Sequence, residues 1–200
     1  MAGRFRFPPR NGAHAHVHAA RAPLLAHPHE RPHTARPMRM LRLGLAQINA
    51  TVGDLDGNFA KVVRAIDSAR ERGVDLLAFP ELVMTGYPPE DLLLKPAFIA
   101  RVIERTHDLL PHTKGMTIVV GTLERDRDLY NAAAVLHDGA YAGSARKIWL
   151  PNYGVFDEKR VFAAGPMPGP LNVRGVRIGV PVCEDIWTQD VTECLSETGA

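Results

Sequence analysis

Apolar residues recur along the chain in two alternating styles. Leu41 to Asn49 (LRLGLAQIN) is an apolar run of strand length. Thr51 to Asn58 follows as a loop in which Gly53, Asp54, Asp56 and Gly57 offer several helix caps. Phe59, Val62, Val63, Ile66 and Ala69 then fall on one helical face, and Gly73 stops the pattern. Val74 to Phe79 predicts a second buried strand ended by Pro80, and residues 81–90, with Pro88 and Pro89, read as a loop. After Pro96, the stripe Phe98, Ile99, Val102, Ile103, Thr106, Leu109 and Leu110 predicts a second helix. Thr117 to Leu123 reads as a third strand. Asn131 to His137 and Tyr141 to Ile148 flank Asp138-Gly139, a two-residue hairpin signal. Residues 150–170 are irregular, Val176 to Val182 predicts another strand, and Asp190 to Glu197 opens a further helix.

Strands interleaved with helices, one pair forming a hairpin, predict an α/β layered fold with a mixed sheet. No internal repeat occurs. The chain stops at Ala200, inside the last helical pattern, with no strand after it. A sheet lacking its last strands exposes an edge, so the expectation is a fragment, with residues 41–200 forming part of a domain.

Composition narrows the class. Among 200 residues, 46% are hydrophobic and 23% charged, which excludes a wholly disordered or fibrous chain. No stretch approaches the ~20 apolar residues of a membrane span. Two cysteines, Cys183 and Cys194, cannot build a disulfide framework, which favours a reduced, cytoplasmic setting. A bridge between these two is the alternative, and it would block Cys183.

The net charge of +2 is unevenly spread. Residues 1–40 hold seven arginines and one acid, Glu30, together with six of the nine histidines. The basic charge is therefore a property of this segment and does not imply nucleic-acid binding by the rest. Residues 1–40 lack a period that could cover a core and read as a disordered basic extension. His14, His16, His18, His27, His29 and His33 could hold a metal, but no cysteine or carboxylate completes a site. A transit peptide would need more serine. The favoured reading is a non-functional extension before Met38 or Met40.

Three chemically active side chains sit where apolar runs end: Glu81 after VDLLAFP, Lys147 closing YAGSARK, and Cys183 after VRIGVPV. In open α/β sheets ligands bind beyond strand ends. A carboxylate can take a thiol proton, an ammonium can hold an oxyanion, and the carboxylic acid can then protonate a leaving amine. That set suits cleavage of an unactivated C–N bond through a thioester, without a metal. Each residue also has a plain alternative: a small buried hydrophobe, a loop carboxylate and a solvated charge.

The words around these residues add to the reading. FPELVMTGYPPEDLL (79–93), RKIWLPNYGVFDEKRVF (146–162) and PVCEDIW (181–187) resemble the carbon–nitrogen hydrolase (nitrilase) superfamily. More narrowly, with LRLGLAQINATVGDLDGNF (41–59), they resemble the glutamine-hydrolysing domain of glutamine-dependent NAD synthetases. The resemblance implies an α-β-β-α sandwich with mixed sheets, incomplete at the C-terminus. It implies a Glu81–Lys147–Cys183 triad that releases ammonia from L-glutamine, with the backbone N–H after Cys183 as a second oxyanion donor. It further implies that Tyr87, Tyr153 and Phe156 line the pocket and that Glu184 meets the glutamine ammonium. Glu158 is a candidate second acid near Lys147.

The partner implied is a synthetase domain that receives the ammonia. ATP and Mg2+ belong to that domain, whose Ser-Gly-Gly loop is absent from the sequence, and the part present needs no cofactor. The resemblance also implies self-association through helical faces. Another amidase or carbamoylase of the same superfamily, or an inactive fragment, are the alternatives.

Overall fold

Strand pairing organises the chain around one mixed sheet. The computed structural model describes residues 40–200 and, in backbone alone, His16–Arg21. The strands are β1 (His16–Arg21), β2 (Arg42–Gln47), β3 (Leu76–Ala78), β4 (Thr117–Arg125), β5 (Leu129–His137) and β6 (Ala140–Arg146), adjacent in that order. β2, β3 and β4 run parallel, while β1 and the β4–β5–β6 meander pair antiparallel. β1 covers the edge of β2, which would otherwise present unpaired backbone groups. In this the structure departs from a wholly disordered extension; the rest of that reading, and the histidine side chains at 14–33, lie outside the described residues.

Alternation along the strands sorts the core into two layers. Leu77, Ile118, Val120, Ala134 and Leu136 point to one face, against α1 (Leu55–Glu71) and α2 (Pro96–His107). Leu76, Val119, Ala133 and Val135 point to the other, where Val173 and Val182 cover them. Burial on both faces explains why these strands read as continuous apolar runs. Register agrees with this sorting, since Leu77 faces Ile118, and Ile118 faces Leu136.

Local chemistry sets the element ends. Asp54 caps α1 by accepting the Gly57 N–H at 2.9 Å. Asp138 and Gly139 both adopt positive φ (47° and 86°), the tight hairpin turn that their sequence demands. A 3-10 turn at Leu110–Thr113 ends the α2 region, so Leu109 and Leu110 continue the apolar stripe beyond the helix proper.

One strand is shorter than its sequence implies. Val176 to Val182 was expected to run up to Cys183, but β8 (Val176–Ile178) stops early and pairs only with β7 (Leu171–Val173). β7 supplies just three partners, and Pro181 has no N–H for a ladder. Cys183 instead opens a 3-10 turn, Cys183–Trp187, which leads into α3 (Gln189–Glu197). The β7–β8 pair is the second sheet among the described residues. No helix among them is long and apolar enough to cross a membrane.

Candidate active site

Glu81 lies just beyond β3, in a turn held from below by β4. The Phe79 N–H bonds to Val119 O at 2.9 Å and the Met84 N–H to Gly121 O at 3.2 Å. Gly121 is required there: a Cβ would sit 2.3 Å from Pro80 O and 2.4 Å from Leu82 N. The next residue, Leu82, is fully buried yet has φ of 47°, a left-handed conformation imposed by the packing around it.

Lys147 follows β6 directly. Its N–H bonds to Asn131 O at 2.8 Å, and its carbonyl accepts the Gly165 N–H at 2.8 Å. The side chain has 0% exposure, which eliminates the solvated-charge alternative. A buried ammonium requires partners. Lys147 Nζ lies 2.7 Å from Glu81 Oε1 and 3.0 Å from Glu158 Oε1. Burial acts to lower its pKa, but the two carboxylates outweigh that effect and raise it. Glu158, carried by the 3-10 turn Glu158–Arg160, is pushed up by burial against the opposing pull of Lys147.

Cys183 is exposed and has φ of 49°. Partial desolvation, together with the charge of Glu81 and a hydrogen bond to it, pushes its thiol up to about 11. Lys147 acts in the opposite direction without reversing the shift. The triad therefore meets at one point, but its thiol is neutral at physiological pH. A carboxylate in hydrogen-bond range disfavours a second negative charge. Cys194 is also a free thiol, with its Sγ on Pro168 O at 3.7 Å, so the alternative bridge is not formed.

The four candidate pocket residues gather around this point. The Tyr87 hydroxyl donates to Glu158 Oε1 at 3.0 Å. Phe156 packs against Tyr87 (centroids 6.4 Å apart) and edge-on against Tyr153 (5.6 Å). The Tyr153 hydroxyl reaches both Glu184 oxygens at 3.0 Å. Glu184 thus pairs with Tyr153. Burial and the negative charge of Glu158 push the Tyr87 phenol upward.

Two residues of the site escaped the sequence reading. Asp185, 2% exposed, accepts the N–H groups of Ile148 (3.0 Å), Trp149 (2.8 Å) and Val182 (3.1 Å). Its position two after Cys183 was the available signal. Asn131 donates from Nδ2 to Glu81 Oε1 at 2.7 Å. Nothing in its surroundings in the sequence (LYNAAAVL) distinguishes it from an ordinary strand residue. Among the described residues no group of three or more His, Cys, Asp or Glu is arranged to hold a metal ion.

A buried lysine bridging two carboxylates beside a cysteine, at the ends of a mixed sheet, is the grouping that the expectation of a Glu-Lys-Cys triad describes. Residues 42–200 match the carbon–nitrogen hydrolase family, and the chain belongs to that family. It is 47% identical over 152 residues to the glutamine-dependent NAD(+) synthetase of Thermotoga maritima, covering 75% of this chain and 26% of that one. The corresponding protein of Aquifex aeolicus is 44% identical over 156 residues (77% and 27%). The chain thus spans about a quarter of the length of these relatives. Among solved structures, glutamine-dependent NAD+ synthetase from Acinetobacter baumannii superposes with a TM-score of 0.71 at 37% identity, over 78% of this chain and 30% of that one. An amidase from Nesterenkonia sp. superposes at 0.72 with 25% identity, over 80% and 62%.

Proposed function

We propose that this chain is the glutaminase portion of a glutamine-dependent NAD synthetase, with Cys183 as nucleophile. The observation that carries the reading is the fully buried Lys147 held between Glu81 and Glu158 beside that thiol. The relatives named above support glutamine as the substrate.

The protonation states define the order of events. Glu81 takes the thiol proton as sulfur attacks the glutamine side-chain carbonyl carbon, so a thiol poised near 11 reacts without ionising beforehand. Lys147, and the N–H of Glu184, stabilise the oxyanion of the tetrahedral intermediate. The C–N bond breaks while Glu81 returns its proton to nitrogen, and ammonia leaves. Water, losing a proton to Glu81, attacks the γ-glutamyl thioester. The C–S bond breaks, the thiol recovers its proton, and glutamate is released.

Tyr87, Tyr153 and Phe156 form the pocket wall in this reading, and Glu184, steadied by Tyr153, receives the substrate ammonium. The partner is a synthetase domain that consumes the ammonia; ATP and Mg2+ serve that domain, and the glutaminase step needs no cofactor. Self-association through the helical layer and a cytoplasmic location belong to the same proposal.

Ammonia release from glutamine by the purified chain tests the assignment. Wild type should release it and Cys183→Ala should not; equal release by both defeats the mechanism. The amidase similarity favours a second reading, an amidase acting on simple amides. Preferential turnover of simple amides over glutamine would select it.

A further inference from the structure

Asn131 stands near the start of β5, opposite Leu123 of β4, and is 1% exposed. It holds two members of the triad at once. Its carbonyl accepts the Lys147 N–H at 2.8 Å, and its Nδ2 donates to Glu81 Oε1 at 2.7 Å. The same Oε1 accepts Lys147 Nζ at 2.7 Å.

The orientation of the amide is compelled by chemistry. Turned over, its oxygen would face a carboxylate oxygen at that short distance, with no proton between them. In the observed orientation Asn131 Oδ1 is buried without a partner. A side chain that leaves one polar atom unsatisfied while serving Glu81 with the other contributes more to the carboxylate than to the packing.

We propose that Asn131 is the positioning residue of the general base: with Lys147 it saturates Oε1 of Glu81 and presents Oε2 for proton transfer with the Cys183 thiol. The inference rests on the catalytic reading given above. Two donors on one oxygen fix the carboxylate in one orientation and leave its other oxygen as the acceptor. The other titratable groups around Glu81 are Glu158 and Tyr87, with Lys147 and Cys183 themselves.

The test is the split between kcat and KM for ammonia release by Asn131→Leu, a near-isosteric variant without a donor. Its kcat per folded molecule should fall about tenfold at unchanged KM, the scale expected for one hydrogen bond to a charged group. A kcat that falls only with the folded fraction would mark Asn131 as merely structural and overturn the proposal. Asn131→Ala, which leaves space instead of filling it, provides the same reading if the Leu variant does not fold.

Carboxyl-carbon NMR of glutamate-labelled protein separates this inference from the glutaminase assignment. The Glu81 resonance is identified by its loss in Glu81→Gln. Its chemical shift should change in the Asn131 variants even if the chain releases no ammonia. An unchanged resonance overturns the positioning role, whereas absence of Cys183-dependent ammonia overturns only the assigned reaction.

Discussion

The carboxylate of Asp185 accepts the backbone N–H of Trp149 at 2.8 Å, fastening the turn that begins at Cys183 to the segment that begins at Lys147. The nucleophile thus depends for its position on a residue outside the reacting set. Asp185→Ala would leave the Ile148, Trp149 and Val182 N–H groups without their acceptor. Each buried donor left unmade costs about 1–3 kcal/mol. Urea unfolding should show a loss of roughly 3 kcal/mol, and ammonia release should fall more steeply than the folded fraction. An unchanged midpoint and rate would refute the fastening role.

Lys147→Met removes the only cation that Glu81 and Glu158 share among the described contacts. Breaking a buried pair by deleting one partner costs about 3–5 kcal/mol, because the remaining charge is uncompensated. Two facing carboxylates then remain, and their mutual repulsion favours a proton shared between them. Denaturation should become strongly pH-dependent, improving on acidification, with glutaminase activity lost. Stability equal to wild type at neutral pH would contradict the electrostatic account.

The Cys183 thiol is displaced from the usual 9.0 to about 11. Alkylation by iodoacetamide in the free protein, with Cys183→Ala as control for Cys194, should therefore rise with a midpoint near 11. Glu81→Gln removes the charge that opposes thiolate formation, so its midpoint should move downward. A wild-type midpoint at or below 9 would overturn the upward displacement. The linked stability has a definite sign: between about 9 and 11 the unfolded chain releases a proton that the folded chain keeps. Stability from this group is complete below 9 and declines as pH rises through 11, and the raised Lys147 adds to the decline at the alkaline end.

Gly121→Ala should displace the Glu81 turn. The added Cβ meets backbone atoms of residues 80–82, which cannot swing aside as a side-chain end would. Overpacking of this kind costs about 1–3 kcal/mol. The expected outcome is a modest loss of thermal stability with a disproportionate loss of kcat. Full activity in a stable Gly121→Ala protein would show that the turn tolerates repositioning.

Much of the fold was legible in local pattern. The Asp138-Gly139 turn, the stripe of α1 and the apolar runs of β2 to β5 each encode their element in adjacent residues, where periodicity and turn chemistry act. The strand expected at 176–182 failed because strand length depends on a partner, and β7 offers only three residues. Glu81, Lys147 and Cys183 were legible from their reactive chemistry at the ends of apolar runs, and Tyr87, Tyr153, Phe156 and Glu184 through the family's motifs. Asn131 was not, since its role arises from a contact across 50 residues of chain.

The sequence alone determined the helices, the central strands, the mixed α/β class and which thiol, ammonium and carboxylate stand at the ends of apolar runs. Those properties are carried by single side chains and short-range spacing. Only the tertiary structure decided that Lys147 is fully buried, that Glu158 shares it, and that Glu81 pushes the thiol further from ionisation. Burial and charge proximity are properties of packed neighbours from distant segments, and they govern which groups carry a proton.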